Sequence, residues 1–432
     1  MNNSEKQIFE NKKINEQFVM YHHPSGCTVY ICEKPEYSSV YACFGTKYGS
    51  VDTKFRIKGE SEFTEVPEGI AHFLEHKMFE KEYGDVFSLY AKTGASANAY
   101  TSFDRTNYLF SCTDKFKESF DILLKFVQEP YFTKESVEKE QGIIGQEIEM
   151  YLDSPGSRLL FNLLAAMYKN HPVRIDIPGT VESISHIDYK LLYKCYNTFY
   201  NLNNMFICVA GNINADDVIA QVNNNLKDVV PVQIERGSFD EPQEVENKYV
   251  EQKLAVSLPM FAIGYKESCG SERMTLKDKI YTSLLMETIA GESSPLYKRM
   301  FEAGLINDKF SADILDGYGY FASIFEGESN EPRAVLDAIN KEIARIRKEG
   351  IDAEEFERAR RRYYGRLVMR FNSVDNIAEM LVQCAISDTM LYDDIEICAA
   401  ATADDINKHL TKVLNADNCS LSVILPAVEQ HS

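Results

Sequence analysis

His72, Glu75 and His76 set two imidazoles and a carboxylate within one turn of the stretch Gly69-Ile70-Ala71-His72-Phe73-Leu74-Glu75-His76-Lys77-Met78-Phe79. On a helix at about 100° per residue the two histidines stand about 40° apart, with Glu75 about 60° to the other side of His72. One narrow face therefore carries all three groups. Neutral imidazoles one turn apart can share a Zn²⁺ ion, and a neighbouring carboxylate that does not bind the metal can take a proton from water that the metal has acidified. Histidines four apart also occur on solvated helix faces, so a third ligand has to decide. Thr133 to Ser154 reads as a long helix with Thr133 as N-cap, presenting Glu140 and Glu147 on one face. Seven residues advance a helix by about 10 Å and return it nearly to the same angle, so Glu147 could reach a metal while Glu140 supports it from farther along. Glu135, Glu138 and Glu149 share that helix, and most glutamates in such a setting are solvated. Spacing alone leaves the choice among them open.

Together these blocks resemble the pitrilysin-like zinc metallopeptidases, peptidase family M16, whose inverzincin HxxEH motif is followed by a helix with two glutamates seven apart. His72, Glu75 and His76 match the first block, and Glu140-Gln141-Gly142-Ile143-Ile144-Gly145-Gln146-Glu147 matches the second. Thr93-Gly94-Ala95-Ser96-Ala97-Asn98-Ala99-Tyr100-Thr101-Ser102-Phe103-Asp104-Arg105-Thr106-Asn107-Tyr108 resembles the family's edge-strand segment. Ile177-Pro178-Gly179-Thr180 with Val181-Glu182-Ser183-Ile184 resembles its later turn and helix. The likeness covers most of residues 15 to 215. It implies a zinc ion held by His72, His76 and Glu147, with Glu75 as general base and acid. It also adds Glu140 to the catalytic set as the group that orients a ligand, and it implies an extended peptide substrate added to the strand at Asn98, Ala99 and Tyr100. The implied fold is α+β: two homologous α/β-sandwich halves, each an antiparallel-rich sheet packed with helices, facing each other across a cavity.

The resemblance weakens at Ser294-Pro295-Leu296-Tyr297-Lys298-Arg299-Met300-Phe301-Glu302-Ala303-Gly304-Leu305-Ile306-Asn307. Family members that act alone or pair with themselves carry an Arg and a Tyr here that reach the substrate. This chain has Pro295 and Asn307 at those places. Arg299 and Tyr297 lie close by, but a surface Arg and a packing Tyr are their more ordinary roles. The implied protein is the zinc-bearing half of a two-component peptidase, whose sister subunit supplies Arg and Tyr, or else a homodimer. The competing reading is a noncatalytic peptide-binding or assembly subunit that retains its zinc. A structural zinc would be closed by four protein ligands, and no fourth stands out. His171 and His186 read as residues that cap or pack loops.

A chain of 432 residues with 44% hydrophobic content exceeds one ordinary domain, so two domains are expected: 1–236 with the zinc motif, a linker at 237–247, and 248–432 without the motif. The formal charge of −20 excludes nonspecific nucleic-acid binding through a basic face and disfavours anionic membranes. Ten cysteines without CxxC spacing read as reduced, packed thiols. A polar start and the absence of a long apolar run point away from secretion and membrane insertion, and so to the cytoplasm.

Along the chain, strands are expected at residues 17–21, 27–32, 39–48, 97–101, 107–112 and 204–210, with helices at 85–92, 113–128, 185–200 and 215–226. The second half reads as a faded copy. Its helix at 404–414 and strand at 418–425 echo 186–199 and 204–209, and strands at 249–258 and 261–265 with helices at 276–290, 332–348 and 353–371 complete it.

Overall fold

Val40–Thr46 (VYACFGT) and Met205–Gly211 (MFICVAG) are apolar on both faces, the pattern of strands covered by helices on each side, and both are buried along their whole length. In the computed structural model, which describes residues 6–267 and 272–427, they form the centre of a seven-stranded sheet. Its strands are β1 (Lys6–Asn11), β2 (Glu16–His22), β3 (Thr28–Glu33), β4 (Val40–Thr46), β5 (Ser96–Thr101), β6 (Thr106–Cys112) and β7 (Met205–Gly211), in the order β1-β2-β3-β7-β4-β6-β5. Only β3 and β7 run parallel.

A second sheet holds β8 (Tyr249–Leu254), β9 (Met260–Glu267), β10 (Ser311–Gly317), β11 (Tyr320–Glu328) and β12 (Cys419–Pro426), in the order β8-β12-β9-β11-β10. Here only β8 and β12 are parallel. Taken in order, β8, β12, β9, β11 and β10 repeat the positions and directions of β3, β7, β4, β6 and β5. The repeat read from the two helix–strand pairs therefore extends over a whole five-stranded pattern.

Six helices matter for the site and its counterpart: α1 (Ile70–Lys77), α2 (Lys134–Leu152), α3 (Pro155–Met167), α4 (Leu276–Ala290), α5 (Ala353–Met369) and α6 (Val374–Ser387). The chain forms two compact units, neither of them one continuous stretch. One contains the residues up to Ile148, Ile177–Gly237 and Val368–Tyr392; the other contains Glu149–Asp176, Ser238–Leu367 and the residues from Asp393 on. In each half, the helix after the long one changes units. α3 packs on β8, β9 and β12, and α6 packs on β3, β4 and β7. On α6, Val374, Ile377, Met380, Leu381, Val382 and Ile386 are among the residues buried by that docking, each contributing about 1.5–3 kcal/mol.

Residues 238–247 have a linker's composition, yet Glu241 pins them within the second unit. Its carboxylate accepts from the backbone N–H of Lys169, Asn170 and His171 and pairs with Lys266 Nζ at 2.6 Å. Among the described residues, nine cysteines are buried and outside any disulfide, and no helix is long and apolar enough to cross a membrane.

Candidate metal centre and active site

The entry into α1 is fixed by two glycines packed back to back. Gly69 caps the helix at φ 87°, where a Cβ would fall 2.2 Å from the Pro178 carbonyl oxygen, and Gly179 at φ 76° would meet the Glu68 oxygen at 2.6 Å. Ser183 Oγ donates to that Glu68 oxygen at 2.9 Å, while Thr180 and Ser183 close a capping box on the next helix. The turn at 177–180 thus buttresses the start of the motif helix. Ile70, Phe73 and Leu74 point into the core, and His72 and Glu75 are only 7% and 8% exposed.

α2 begins as its sequence suggests: Thr133 Oγ1 accepts from Ser136 N at 3.1 Å, and Ser136 Oγ accepts from Thr133 N at 3.2 Å. Val137, Ile144 and Ile148 bury one face, and Glu140 and Glu147 lie along it. Two helices far apart in sequence therefore meet at one point. Glu147 stands 3.7 Å from His72 Nε2 through Oε1 and 3.4 Å from His76 Nε2 through Oε2, and one donor atom from each residue lies within 4.8 Å of the others. Ligands about 2.0–2.1 Å from one tetrahedral ion stand roughly 3.3–3.5 Å apart, so the donor set and its spacing fit zinc after minor adjustment.

Neighbouring groups orient this set. Glu140 Oε1 lies 3.0 Å from His76 Nδ1, so a proton on that nitrogen is held by the carboxylate and Nε2 is left to face Glu147. Glu140 is itself held near the fully buried Lys77, whose Nζ is 3.9 Å away and bonds Glu80 and the Ser136 carbonyl. His72 Nδ1, by contrast, is buried without a hydrogen-bond partner. Thr101 Oγ1 donates to Glu75 Oε2 at 2.5 Å and aims that carboxylate. Thr101 is a contact that the motif reading passed over. Strand alternation would have revealed it once the strand was placed beside α1.

Burial, reinforced by His76, lowers His72 to a pKa of about 3, which keeps the imidazole neutral, the form that can bind a metal. Burial also pushes Glu75 up to about 7, against the pull of Thr101 and His76 and with help from Glu147, so near neutrality it can both accept and return a proton. For His76, burial acts downward, but the Glu140 hydrogen bond and the charges of Glu75, Glu147 and Glu140 outweigh it and raise its pKa. Burial acts upward on Glu140, and His76 with Lys77 and Lys139 reverses it.

The structure brings His72, Glu75, His76, Glu140 and Glu147 into one cluster. Asn98, Ala99 and Tyr100 lie on β5, the outermost strand of the sheet, paired with Leu109, Tyr108 and Asn107 of β6. β5 ends at Thr101, and so at Glu75. In the second half, Pro295 starts a helix behind the Ser294 cap and Asn307 donates to Glu328 at 2.8 Å. Arg299 pairs with Glu342 at 3.0 Å, and Tyr297 packs against Phe301 and Phe310.

Residues 61–181 match the family described as insulinase (peptidase family M16), and residues 186–363 match the peptidase M16 inactive domain. The chain is 41% identical over 420 residues to a Bacillus subtilis protein named as the zinc protease YmfH, covering 95% of this chain and 97% of that one. It belongs to peptidase family M16. A crystal structure of an M16-like peptidase from Alicyclobacillus acidocaldarius superposes with a TM-score of 0.91 at 35% identity, covering 97% of this chain and all of that one. Pitrilysin shares the fold at a TM-score of 0.73 and 17% identity, with 98% of this chain matched to 46% of that longer one. The chain is thus a half-size member.

Proposed function

We propose that this chain is a zinc-dependent endopeptidase subunit, the metal-bearing half of a two-component enzyme that processes or degrades peptides in the cytoplasm. The observation that carries this reading is the meeting of His72, His76 and Glu147 with Glu75 beside them, aimed by Thr101. Zinc bound by the three ligands supplies Lewis acidity toward a peptide carbonyl and acidifies water. Glu75 removes a proton from the attacking water and returns it to the leaving amine. Glu140 holds His76 in the ligating tautomer. The edge of β5 at Asn98, Ala99 and Tyr100 receives an extended peptide by main-chain hydrogen bonds, which grip many sequences alike.

Pro295 and Asn307 leave the chain without an Arg and a Tyr to stabilise developing charge on the carbonyl, and loss of one such donor costs about a hundredfold or more in rate. The isolated subunit is therefore slow, and a sister M16 chain, or a second copy, completes the site. That same absence favours the second reading, an assembly subunit that keeps zinc without turnover. Hydrolysis of unfolded peptides by the chain alone and with candidate sister chains separates the two, with Glu75→Gln as control. The enzyme reading expects partner-stimulated cleavage that Glu75→Gln abolishes; equal hydrolysis by both proteins under every pairing leaves only a binding role.

A further inference from the structure

α6 docks on the first sheet through apolar residues, but its polar residues make contacts that docking does not require. Glu379 accepts from Tyr41 Oη at 2.9 Å through Oε1 and from Tyr100 Oη at 2.7 Å through Oε2. One turn on, Gln383 Oε1 accepts from Arg105 Nη1 at 2.9 Å. Tyr100 Oη also accepts from Asn107 Nδ2 at 2.5 Å, so its hydroxyl is held by both the helix and the neighbouring strand. Consecutive strand residues point to opposite faces. Tyr100 therefore reaches the α6 side while Thr101 reaches Glu75 on the other. β5 has one strand neighbour, β6, so its outer edge depends on such side-chain anchors for its depth and register.

We infer that Glu379 is a positioning residue of the active site. By clamping Tyr100 from behind the sheet, it sets the edge on which the peptide is laid and, one residue on, the Thr101 hydroxyl that aims Glu75. This inference rests on the proposed function, because it concerns the strand assigned to the substrate. A carboxylate shared by two phenols makes hydrogen bonds roughly twice as strong as neutral ones. Burial first, and the Glu379 charge among other causes, raises the pKa of both Tyr41 and Tyr100, so both remain donors through the neutral range. A tether of this kind lets a helix from the last quarter of the chain control geometry at a motif in the first quarter.

The test compares wild type, Glu379→Leu, Glu379→Gln and Tyr100→Phe in the full-length, zinc-loaded chain. Amide hydrogen exchange is read over Ser96–Thr101, zinc content is measured, and binding of a labelled unstructured peptide is measured in the Glu75→Gln background. Glu379→Leu is expected to speed exchange in β5 about tenfold and to weaken peptide binding about tenfold, with zinc still at one per chain. Tyr100→Phe, which leaves α6 intact, should reproduce the effect. The Glu379→Leu, Tyr100→Phe double variant should fall short of the sum of the two single effects, because both single variants lose the Tyr100–Glu379 bond. Glu379→Gln, which can still accept one of the two bonds, should fall between. Unchanged exchange in β5 would overturn the inference, as would acceleration spread evenly through the first unit or a silent Tyr100→Phe beside a damaging Glu379→Leu. If no pairing hydrolyses peptides, the proposed function fails by itself, while exchange and zinc content still decide whether the tether exists.

Discussion

Two clusters occupy matching places in the two units, and they solve one electrostatic problem in opposite ways. α1 follows β4 as α4 follows β9, and α2 and α5 are the long helices that each precede an exchanged helix. In the first unit, Glu147 and Glu75 are drawn from water beside two imidazoles, and donor atoms of His72, His76 and Glu147 lie within 4.8 Å of one another, a spacing that suits a cation. In the second unit, buried Glu287 on α4 is neutralised from α5 by Arg362 at 2.6 Å and Arg366 at 2.5 Å, with Arg362 also paired to Glu292 at 2.7 Å. A cavity of about 350 Å³ adjoins that cluster, lined by α4, α5 and β10. A carboxylate taken from water needs a positive partner. One copy of the scaffold holds that partner in its own side chains; in the other, the partner is the cation of the proposed function.

The largest effect that would sharpen this contrast is on turnover. Glu75→Gln should lower kcat/KM by about a thousandfold, within the usual range for a general base, while zinc content stays at one per chain. Loss of zinc along with activity would make Glu75 a ligand instead. Next comes the second unit. Glu287→Ala strands two arginines and should cost about 2–3 kcal/mol, a value discounted for their partial exposure, seen as a lower melting temperature with zinc binding intact. An unchanged melting temperature would show that the arginine cluster is not holding the helices together. Glu140→Gln should weaken zinc affinity about 10- to 100-fold, through the loss of His76 orientation, as measured by competition with a chelator. An effect as complete as the loss of a direct ligand would contradict the supporting role.

The smallest effect depends on pH. Burial lifts Glu267 to about 7, against the Leu414 and Ser323 hydrogen bonds, so between its unfolded value and about 7 the folded state binds more protons than the unfolded one. Its contribution to stability is complete below the unfolded pKa and is lost as pH rises through about 7. Glu267→Gln should therefore abolish a decline on the order of 1–2 kcal/mol between about pH 5 and about pH 7 in denaturant titrations. A variant as pH-sensitive as wild type would place that decline elsewhere.

The candidate metal cluster was legible in part, because the residue types and spacing of an HxxEH motif are strict. His72 and His76 stand out by their four-residue interval on one helix, whereas spacing left Glu147 open among its neighbours and only the family resemblance singled it out. Apolar runs such as Met205–Gly211 announced strands, though not their place at the centre of the sheet. β10 was missed because Ser311–Gly317 alternates weakly and carries two aspartates on an exposed edge. α3 and α6 were missed because they are packed over much of their surface, which blurs the 3.6-residue period, and because nothing local says which sheet a helix will cover. Glu379 left no signal. Its meaning comes from a tyrosine 279 residues away.

The most direct test is the zinc content of the purified chain, wild type beside Glu147→Gln, by elemental analysis after removal of loosely bound metal. Meeting of α1 and α2 around one ion predicts one zinc per folded chain in the wild type and essentially none in the variant. Undiminished zinc in folded Glu147→Gln would contradict it.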